Sequence, residues 1–543
     1  MIVIHVLICV AAYLLTWQHL FYRACFLPRS AYESGSTVLG MLAHTPTAVM
    51  LLVGILPLFI FRKRITWTEV DDSLKMRTFV WIVAAVMGVT FVLSDYNYYY
   101  DQAFLMDRIV LLALLIAVWF HPGFLFPFVL VMMTFALQIH YPLPEGMWNW
   151  PDKRMPTHML FAFVWFVYLR IFVKTDPRLP LVLALFMAGA GYAHAGFSKV
   201  AIGPEVTTWL LENPTANIFV SAYQQGRWLG HLDEAQVISM AGVLERVGVL
   251  NNAFTLFAEI GAGLVLLDKR VARFFLAACI LLHLGILSTT GIFFWKWIIV
   301  DLSMIVFAGT LWQWNLPDPA VTKRAIAMLT ASTMILGAAH TKVTGILFAW
   351  WDTRHSQFFS YEVETESGKT YELDPRYFVP YDIVFVQSRF YYAAPKRILP
   401  GTFGVSHRYP VFRALQDATV DDLPAVTEEY GQWLFSESIR YDYGRFIQRY
   451  VRAVMRGDDK EFLPTWFSVP YHFQTTFPPN HYTGQSKATT VRVFFEEHFY
   501  DGDKIHNLSR SEVMVIPIVE DPVPVPSGAP MPAPSPTPVP AAP

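Results

Sequence analysis

The sequence predicts an α-helical polytopic membrane bundle of about eleven spans, followed by a C-terminal α+β extramembrane domain. Composition is the first reason: of 543 residues, 54% are hydrophobic and only 15% are charged, which is too apolar for an ordinary soluble enzyme. Distribution is the second, because runs long enough to cross a bilayer recur through the first 350 residues and then stop. The net charge of -2, without lysine- or arginine-rich blocks, argues against a nucleic-acid partner.

Apolar runs within residues 1–350 predict the spans. They lie at 2–17, 46–61, 78–94, 103–120, 122–139, 157–173, 179–198, 252–267, 272–288, 291–311 and 325–343. The first run has no basic segment before it and no clear cleavage site, so we interpret it as a retained helix. Segment 200–251 is too polar to span. Its apolar residues predict short helices in the outer interface, either a partial lid over a site or an amphipathic connector.

Lysine and arginine are distributed unevenly between alternate loops. Segments 62–77, 170–178, 268–273 and 316–324 carry thirteen of these residues, and the segments that alternate with them carry six. The richer set is expected to be cytoplasmic. With eleven spans the N-terminus is then inside, and residues from about 351 are extracytoplasmic. We therefore expect an integral protein of an inner or plasma membrane, with the lipid bilayer as a partner.

The composition changes after residue 350, and residues 351–520 are predicted to form one α+β domain. Between the strands, apolar residues recur every three or four positions over 423–456 and predict a helix. Residues 521–543, nearly all Pro, Ala, Ser and Val, are predicted to be a disordered tail. Runs rich in β-formers predict strands at 358–363, 370–373, 383–387, 490–496 and 512–519.

Two stretches carry polar groups at membrane depth. The first, 189–199 (GAGYAHAGFSK), combines small residues with His194 and ends in Lys199. The second runs from His283, through a predicted polar hairpin at 288–291 and a group of aromatic residues, to Asp301. Polar groups in a bilayer are costly and face a bundle interior or a cavity. Both stretches should therefore meet in a pocket that opens toward the outer face.

Each principal residue has a second interpretation. A lysine at a helix end commonly extends to the headgroups, but Gly196 would let another helix or a ligand approach Lys199 closely. Desolvation there would favour the neutral amine, which could act as a base. His283 is either a packing histidine or a site residue beside aromatic walls that suit a quinone-like ring. Those aromatic residues are equally typical of an interfacial belt.

Further polar residues fall within or near the predicted spans. Glu259 and Asp301 are expected to be protonated, paired with a neighbour or part of a proton path, with structural pairing as the default. Asp107 and Arg108 are expected to form a local ion-pair network. The three cysteines have no metal-ligand spacing, and no metal site is predicted. The outer face should also receive Asp95, Tyr96, Tyr98, Tyr99, Tyr100, Gln138, His140, His158, His340 and Lys342.

The two stretches resemble motifs of the vitamin K-dependent γ-carboxylase and its bacterial relatives with the horizontally transferred transmembrane (HTTM) domain. In that family a helix ends in Ala-Gly-x-x-Lys, as at 195–199, and a later helix carries His followed by Gly-x-Phe, as at 283–293. The resemblance covers about residues 70–310. It implies that Lys199 is the base that deprotonates a hydroquinone and that His283 assists the chemistry around carbon dioxide. The quinone or hydroquinone is then expected to contact His194, Gly196, Phe293, Trp295 and Lys296.

The resemblance implies a membrane enzyme in which a hydroquinone, with molecular oxygen and carbon dioxide as co-substrates, drives proton abstraction or carboxylation. The acceptor would be an extracytoplasmic protein, a peptide or a small molecule. The alternative is a non-catalytic membrane anchor or assembly factor whose C-terminal domain binds an extracytoplasmic partner. A transporter would show two similar halves with broken helices, and no such symmetry is evident in the sequence.

Overall fold

The structure is a computed structural model. The predicted strand at 383–387 and the predicted tail at 521–543 lie outside the residues that it describes, as do the side chains of Gln138 and His140. Asp95, the tyrosines at 96 and 98–100, His340 and Lys342 also lie outside them. The described residues are 2–28, 30–31, 35–67, 71–93, 104–140, 151–226, 228–311, 319–338, 351, 353–373, 393–399, 409–457, 474, 476 and 480–519.

Helices dominate the chain up to residue 338, and one lies at each of the eleven predicted runs. In chain order they are α1 (Ile2–Thr16), α2 (Tyr22–Cys25), α3 (Thr37–Ala43), α4 (Thr45–Ile60), α5 (Asp71–Leu93), α6 (Leu105–Phe120), α7 (Leu125–His140), α8 (Pro151–Phe172), α9 (Leu179–Val200), α10 (Thr208–Glu212), α11 (Thr215–Gln224), α12 (Glu234–Arg246), α13 (Gly248–Ala262), α14 (Lys269–Thr290), α15 (Trp295–Leu311) and α16 (Pro319–Ala338).

Four of the described helices have the length and apolar composition needed to cross a membrane: Leu74–Leu93, Arg154–Phe172, Leu179–Val200 and Lys269–Thr290. Helices α3 and α4 are long and apolar enough to cross a membrane only when taken together, and the angle between them is 88°. The predicted count of eleven spans is therefore not supported. Helices such as α6 and α7, with 16 residues each, extend only about 24 Å, whereas the hydrocarbon core of a bilayer is about 30 Å thick.

Helix α9 lies at the centre of the bundle. It packs against α13 and α16, and nearly all of its residues are buried. Small residues permit this packing: a Cβ atom added at Gly189 would lie 2.9 Å from the carbonyl oxygen of Ala262, and one added at Gly337 would lie 2.8 Å from Ala193. Polar side chains on α9 therefore face other helices rather than lipid.

Asp107 caps a helix. Its carboxylate accepts hydrogen bonds from the Ser36 hydroxyl at 2.8 Å, the Thr37 amide at 2.6 Å and the Val38 amide at 3.0 Å. These amides belong to the start of α3, where backbone N–H groups have no partner within the helix. The neighbouring Arg108 donates to the carbonyl of Val92 at 2.6 Å.

A sheet domain occupies much of the described chain beyond residue 350. Its elements are β1 (His355–Thr365), β2 (Thr370–Glu372), β3 (Arg397–Ile398), α17 (Tyr409–Asp417), α18 (Leu423–Tyr430), β4 (Gln432–Trp433), α19 (Glu437–Arg456), β5 (Ala488–Tyr500) and β6 (Ile505–Pro517). The four-stranded sheet has the order β2-β1-β5-β6 with antiparallel neighbours, and Gly368 turns its first hairpin at φ +74°. The predicted helix at 423–456 is divided into α18 and α19 by the short strand β4.

The sheet domain contacts one end of the helical bundle. Ser356 on β1 hydrogen-bonds Ser221 on α11 at 3.1 Å. The amide of Gln474 donates to the carbonyl of Gly291, just beyond α14, at 2.8 Å. The sheet domain thus lies on the side of the bundle where α14 ends.

Acidification is expected to destabilise the sheet domain through His355. This side chain is 2% exposed, and its Nε2 lies 3.8 Å from the carboxylate of Glu497. Burial lowers the pKa of His355 to about 4, against the opposing effect of Glu497. Between pH ~6.5 and ~4 the unfolded chain therefore binds the extra proton, so the free energy of unfolding should fall by up to about 3 kcal/mol as pH decreases through this range.

Unfolding of the full chain, followed by hydrogen exchange in β1 and β5 at several pH values, measures this effect. A His355→Gln variant should show a weaker dependence between pH ~6.5 and ~4. An unchanged dependence in that variant would contradict the assignment to His355.

Candidate functional site

Lys199 forms a buried ion pair with Glu259. Its Nζ lies 2.7 Å from both carboxylate oxygens of Glu259, which belongs to α13, and Lys199 is only 5% exposed. Gly196 makes the contact possible, since a Cβ atom there would lie 2.6 Å from Cγ1 of Ile260 and 3.2 Å from Cβ of Glu259. Lys199 therefore lies inside the bundle and does not extend toward headgroups. Glu259 was expected to pair with a neighbour, and Lys199 is that neighbour.

Trp209 covers the ion pair. Its ring centroid lies 5.6 Å from Nζ of Lys199, a distance at which a cation and an aromatic face attract each other. Trp209 belongs to α10, within the segment predicted to be either a lid or a connector. It packs in one buried cluster with Trp351 and Phe412, and the rings of the latter two stack at 4.2 Å. The cover is thus held in place by the sheet domain.

Helix α17 strengthens this attachment. The hydroxyl of Tyr409 donates to Glu212 at 3.0 Å, and Arg413 pairs with the same carboxylate at 3.4 Å. Glu212 lies three residues after Trp209, so the polar contacts and the ring cluster fix the same short helix.

Replacing Phe412 with alanine is expected to destabilise the fold by about 3–5 kcal/mol and to increase hydrogen exchange in α10. The reason is that Phe412 is fully buried against the cluster that contains Trp209. Phe446→Ala is the matched control, because Phe446 is equally buried within the sheet domain's own packing. If both variants raise exchange in α10 to the same extent, the sheet domain does not hold the cover through Phe412.

A second polar group surrounds His283. The hydroxyl of Tyr192 lies 2.9 Å from Nε2 of His283 and donates to Oδ2 of Asp301 at 2.6 Å. All three residues are buried. Which of the Tyr192 hydroxyl and the His283 Nε2 donates in their bond depends on the tautomer of the imidazole. His283 and Asp301 stand out in the sequence as polar residues of apolar runs, whereas Tyr192, which connects them, does not.

Two of the four aromatic residues predicted to line the next helix lie beside His283. Phe294 and Trp297 lie 4.9 Å and 5.4 Å from the His283 ring, measured between centroids. Of the other two, Phe293 is only half-buried, and Trp295 packs against Lys296, whose Nζ lies 4.4 Å from the Trp295 ring. The turn at Gly291 and the start of α15 decide which of the four rings face α14.

The predicted polar hairpin at 288–291 is instead the last turn of α14. The hydroxyls of Ser288 and Thr289 donate to the carbonyl of Gly285, and that of Thr290 donates to Ile286. Hydroxyls near a helix end readily make such bonds to the preceding turn. Gly291 then ends the helix with φ +74°.

Two other predicted residues lie on different surfaces. Nδ1 of His194 lies 3.3 Å from the carbonyl of Gly337. This histidine therefore faces α16. His158 on α8 hydrogen-bonds the hydroxyl of Tyr13 on α1 and lies 3.3 Å from Nε of Arg154. Neither residue joins the Lys199 pair.

The two polar groups occupy one face of α9. Tyr192 and Lys199 are seven residues apart, which is about two helical turns or about 10 Å along the axis. Lys199 bonds Glu259 rather than His283 within the described residues. One end of this face therefore carries an amine–carboxylate pair that can exchange a proton. About two turns further into the bundle, the same face carries the phenol of Tyr192, which is hydrogen-bonded to the imidazole of His283 and the carboxylate of Asp301.

Comparison with known proteins gives no match to a family model, a curated protein or a solved structure. In the described part of the chain, no group of three or more His, Cys, Asp or Glu side chains is placed to hold a metal ion.

Proposed function

We propose that the chain is an integral membrane enzyme related to the γ-carboxylase and HTTM proteins, in which the Lys199–Glu259 pair accepts a proton from a bound hydroquinone. The reaction would be oxidation-coupled proton abstraction from, or carboxylation of, a protein, peptide or small molecule, with molecular oxygen and carbon dioxide as co-substrates. Four described helices able to cross a bilayer support the membrane location. The proposed extracytoplasmic side of the sheet domain, in an inner or plasma membrane, depends on the loop charges together with the eleven-span count.

The buried Lys199–Glu259 pair is the observation that carries this proposal. An amine must be neutral to accept a proton. In the ion pair Lys199 can pass its proton to Glu259, 2.7 Å away, and this transfer replaces two buried charges with two neutral groups. The neutral amine of Lys199 formed in this way is the base, and Trp209 limits the access of water to Nζ.

The side chains packed around His283 are of the kind that lines sites for flat aromatic ligands. Tyr192, Phe294 and Trp297 surround the imidazole at centroid distances of 4.9–5.9 Å, and such apolar walls with a few polar groups are typical of small-molecule sites. A bound hydroquinone supplies an ionisable hydroxyl and two electrons for the reduction of molecular oxygen. The chain's own residues bind the ring, hold His283 through Tyr192 and accept the proton at Nζ of Lys199.

The non-catalytic anchor or assembly factor is the second candidate, and one observation favours it. Both oxygens of Glu259 are bonded to Lys199, so the pair also fastens α9 to α13. In that case the sheet domain would bind a partner outside the membrane rather than present a substrate.

Oxygen uptake in the presence of menadiol tests the enzyme proposal. Purified protein in lipid nanodiscs should consume oxygen faster than protein-free nanodiscs, and Lys269→Met should leave the rate unchanged, because Lys269 is exposed at the start of α14. The same substitution at Lys199 should abolish the added rate. Uptake no faster than in protein-free nanodiscs would favour the anchor.

A further inference from the structure

Five basic residues lie together at one end of the helical bundle. They form a basic patch in the turn that follows α4 and at the end of α8: Arg62, Lys63, Arg64, Arg170 and Lys174. The guanidinium of Arg64 donates to the carbonyl of Ile171 at 3.3 Å, so the turn lies against the end of α8. Arg170 is half-buried, and the other four side chains are exposed.

The turn that carries the patch is held in place by a histidine. Nδ1 of His121 accepts a hydrogen bond from the amide of Gly123 at 3.1 Å, and Nε2 lies 3.2 Å from the carbonyl of Arg62. Because the Gly123 amide can only donate, Nδ1 is the acceptor and Nε2–H donates to that carbonyl. Ile65, directly after the turn, is 0% exposed. The basic side chains therefore project from an anchored turn.

No carboxylate of the described residues forms an ion pair with the basic patch. Asp176 lies close behind the patch in sequence, but it pairs with Arg178 at 2.8 Å. Arg62 and Arg64 each donate one N–H to a backbone carbonyl, whereas a guanidinium has five N–H donors. Most donors of these two side chains are thus available to an anion outside the chain.

Exposed apolar side chains adjoin the patch. Phe59 and Ile60, the last two residues of α4, are 63% and 59% exposed, and Phe172, the last residue of α8, is 79% exposed. Helix α8 contains one of the described helices that can cross a bilayer. In such a protein, exposed apolar side chains face acyl chains, and basic side chains beyond them reach the headgroups. The basic patch therefore lies at headgroup level.

We infer that the basic patch binds the headgroups of anionic phospholipids, whose acyl chains lie against Phe59, Ile60 and Phe172. Basic side chains beside a membrane helix attract anionic lipids, and a guanidinium matches the geometry of phosphate oxygens. Phosphatidylcholine also has a phosphate, but its ammonium group cancels the charge. The patch thus selects lipids by net charge, and this role is independent of the reaction proposed for Lys199.

Native mass spectrometry of the full chain in detergent tests the inference by titration with phosphatidylglycerol and with phosphatidylcholine. Each Lys or Arg near a lipid surface contributes about a fivefold preference for anionic lipid. The wild type should therefore bind phosphatidylglycerol at least about tenfold more tightly. The preference should weaken as the ammonium acetate concentration is raised, because exposed charges are screened. Equal affinities for the two lipids would overturn the inference without any variant.

The variant Arg62→Gln/Arg64→Gln/Lys174→Gln should lose most of the preference for phosphatidylglycerol. The matched control is Arg62→Lys/Arg64→Lys, which preserves the charge and should keep the preference. A second control, Lys369→Gln/Lys504→Gln, removes exposed charges from the sheet domain and should also keep it. A glutamine variant that retains the wild-type preference would contradict the assignment to the patch.

Two competitors distinguish a lipid from other anionic partners. Glycerol phosphate at the same concentration should not displace phosphatidylglycerol, because it lacks the acyl chains that contact Phe59, Ile60 and Phe172. Displacement would mean that the patch is a general phosphate site. Binding of poly-glutamate that the glutamine variant loses, without any preference for phosphatidylglycerol, would assign the patch to an acidic protein. Either result would overturn the inference.

Discussion

Replacing Lys199 with methionine is expected to lower the free energy of unfolding by about 3–5 kcal/mol, because it leaves the buried carboxylate of Glu259 without its partner. Methionine preserves much of the lysine's length and apolar stem, so the lost charge dominates the effect. The measurement is denaturation of the purified chain in detergent, followed by tryptophan fluorescence. The same substitution at the exposed Lys269 should change stability by no more than about 0.5 kcal/mol.

The double variant Lys199→Met/Glu259→Met separates structure from chemistry. Two apolar side chains of similar volume can replace a buried ion pair with little net loss, so most of the lost stability should return. Oxygen uptake with menadiol should not return, because the amine is still absent. A double variant as unstable as the single one would show that the pair does not contribute through its mutual charge.

Replacing Gly196 with alanine is expected to destabilise the chain by about 1–3 kcal/mol through overpacking. The added Cβ would lie 2.6 Å from Cγ1 of Ile260 and 3.1 Å from its backbone nitrogen. A side chain can move away from such a contact, but the backbone of α13 can move only as a unit. The displacement would separate Glu259 from Lys199, so oxygen uptake should fall together with stability.

Gly242→Ala is the matched control for Gly196. Gly242 lies within α12, and no atom lies within 4 Å of a Cβ atom added there. Because alanine favours helices over glycine, this variant should be neutral or more stable by up to about 1 kcal/mol. In Gly196→Ala, the further change Ile260→Ala should restore part of the stability by removing Cγ1. An unaffected Gly196→Ala chain would contradict the close approach of α9 and α13.

The ionisable residues inside the bundle could be predicted from the sequence, but the residues they pair with could not. Lys199, Glu259, His283 and Asp301 stand out because an ionisable group in an apolar run is costly. Their pairing depends on the rotation and height of separate helices, which local periodicity does not determine. Tyr192 was missed for a related reason: a tyrosine in an apolar helix is typical of ordinary packing, and its role emerges only when α14 and α15 place His283 and Asp301 beside it.

Positions near helix ends were predicted less well. Apolar runs located the helices, but their lengths do not support eleven spans. The sequence named four aromatic residues after Gly291 but did not show which of them face His283, since the left-handed turn at Gly291 sets the register of α15 and places Phe294 and Trp297 there. In the sheet domain, β6 begins at Ile505 rather than near residue 512. Its first half is polar and pairs with β5, and Arg510 there forms a partly exposed ion pair with Glu362 on β1.

Oxygen uptake by the folded Lys199→Met/Glu259→Met variant is the most direct test of the proton-accepting role of this pair. We predict that this variant has near wild-type stability, binds menadiol and consumes no more oxygen than protein-free nanodiscs. Uptake at the wild-type rate by this variant would show that the pair only fastens α9 to α13 and that the base lies elsewhere.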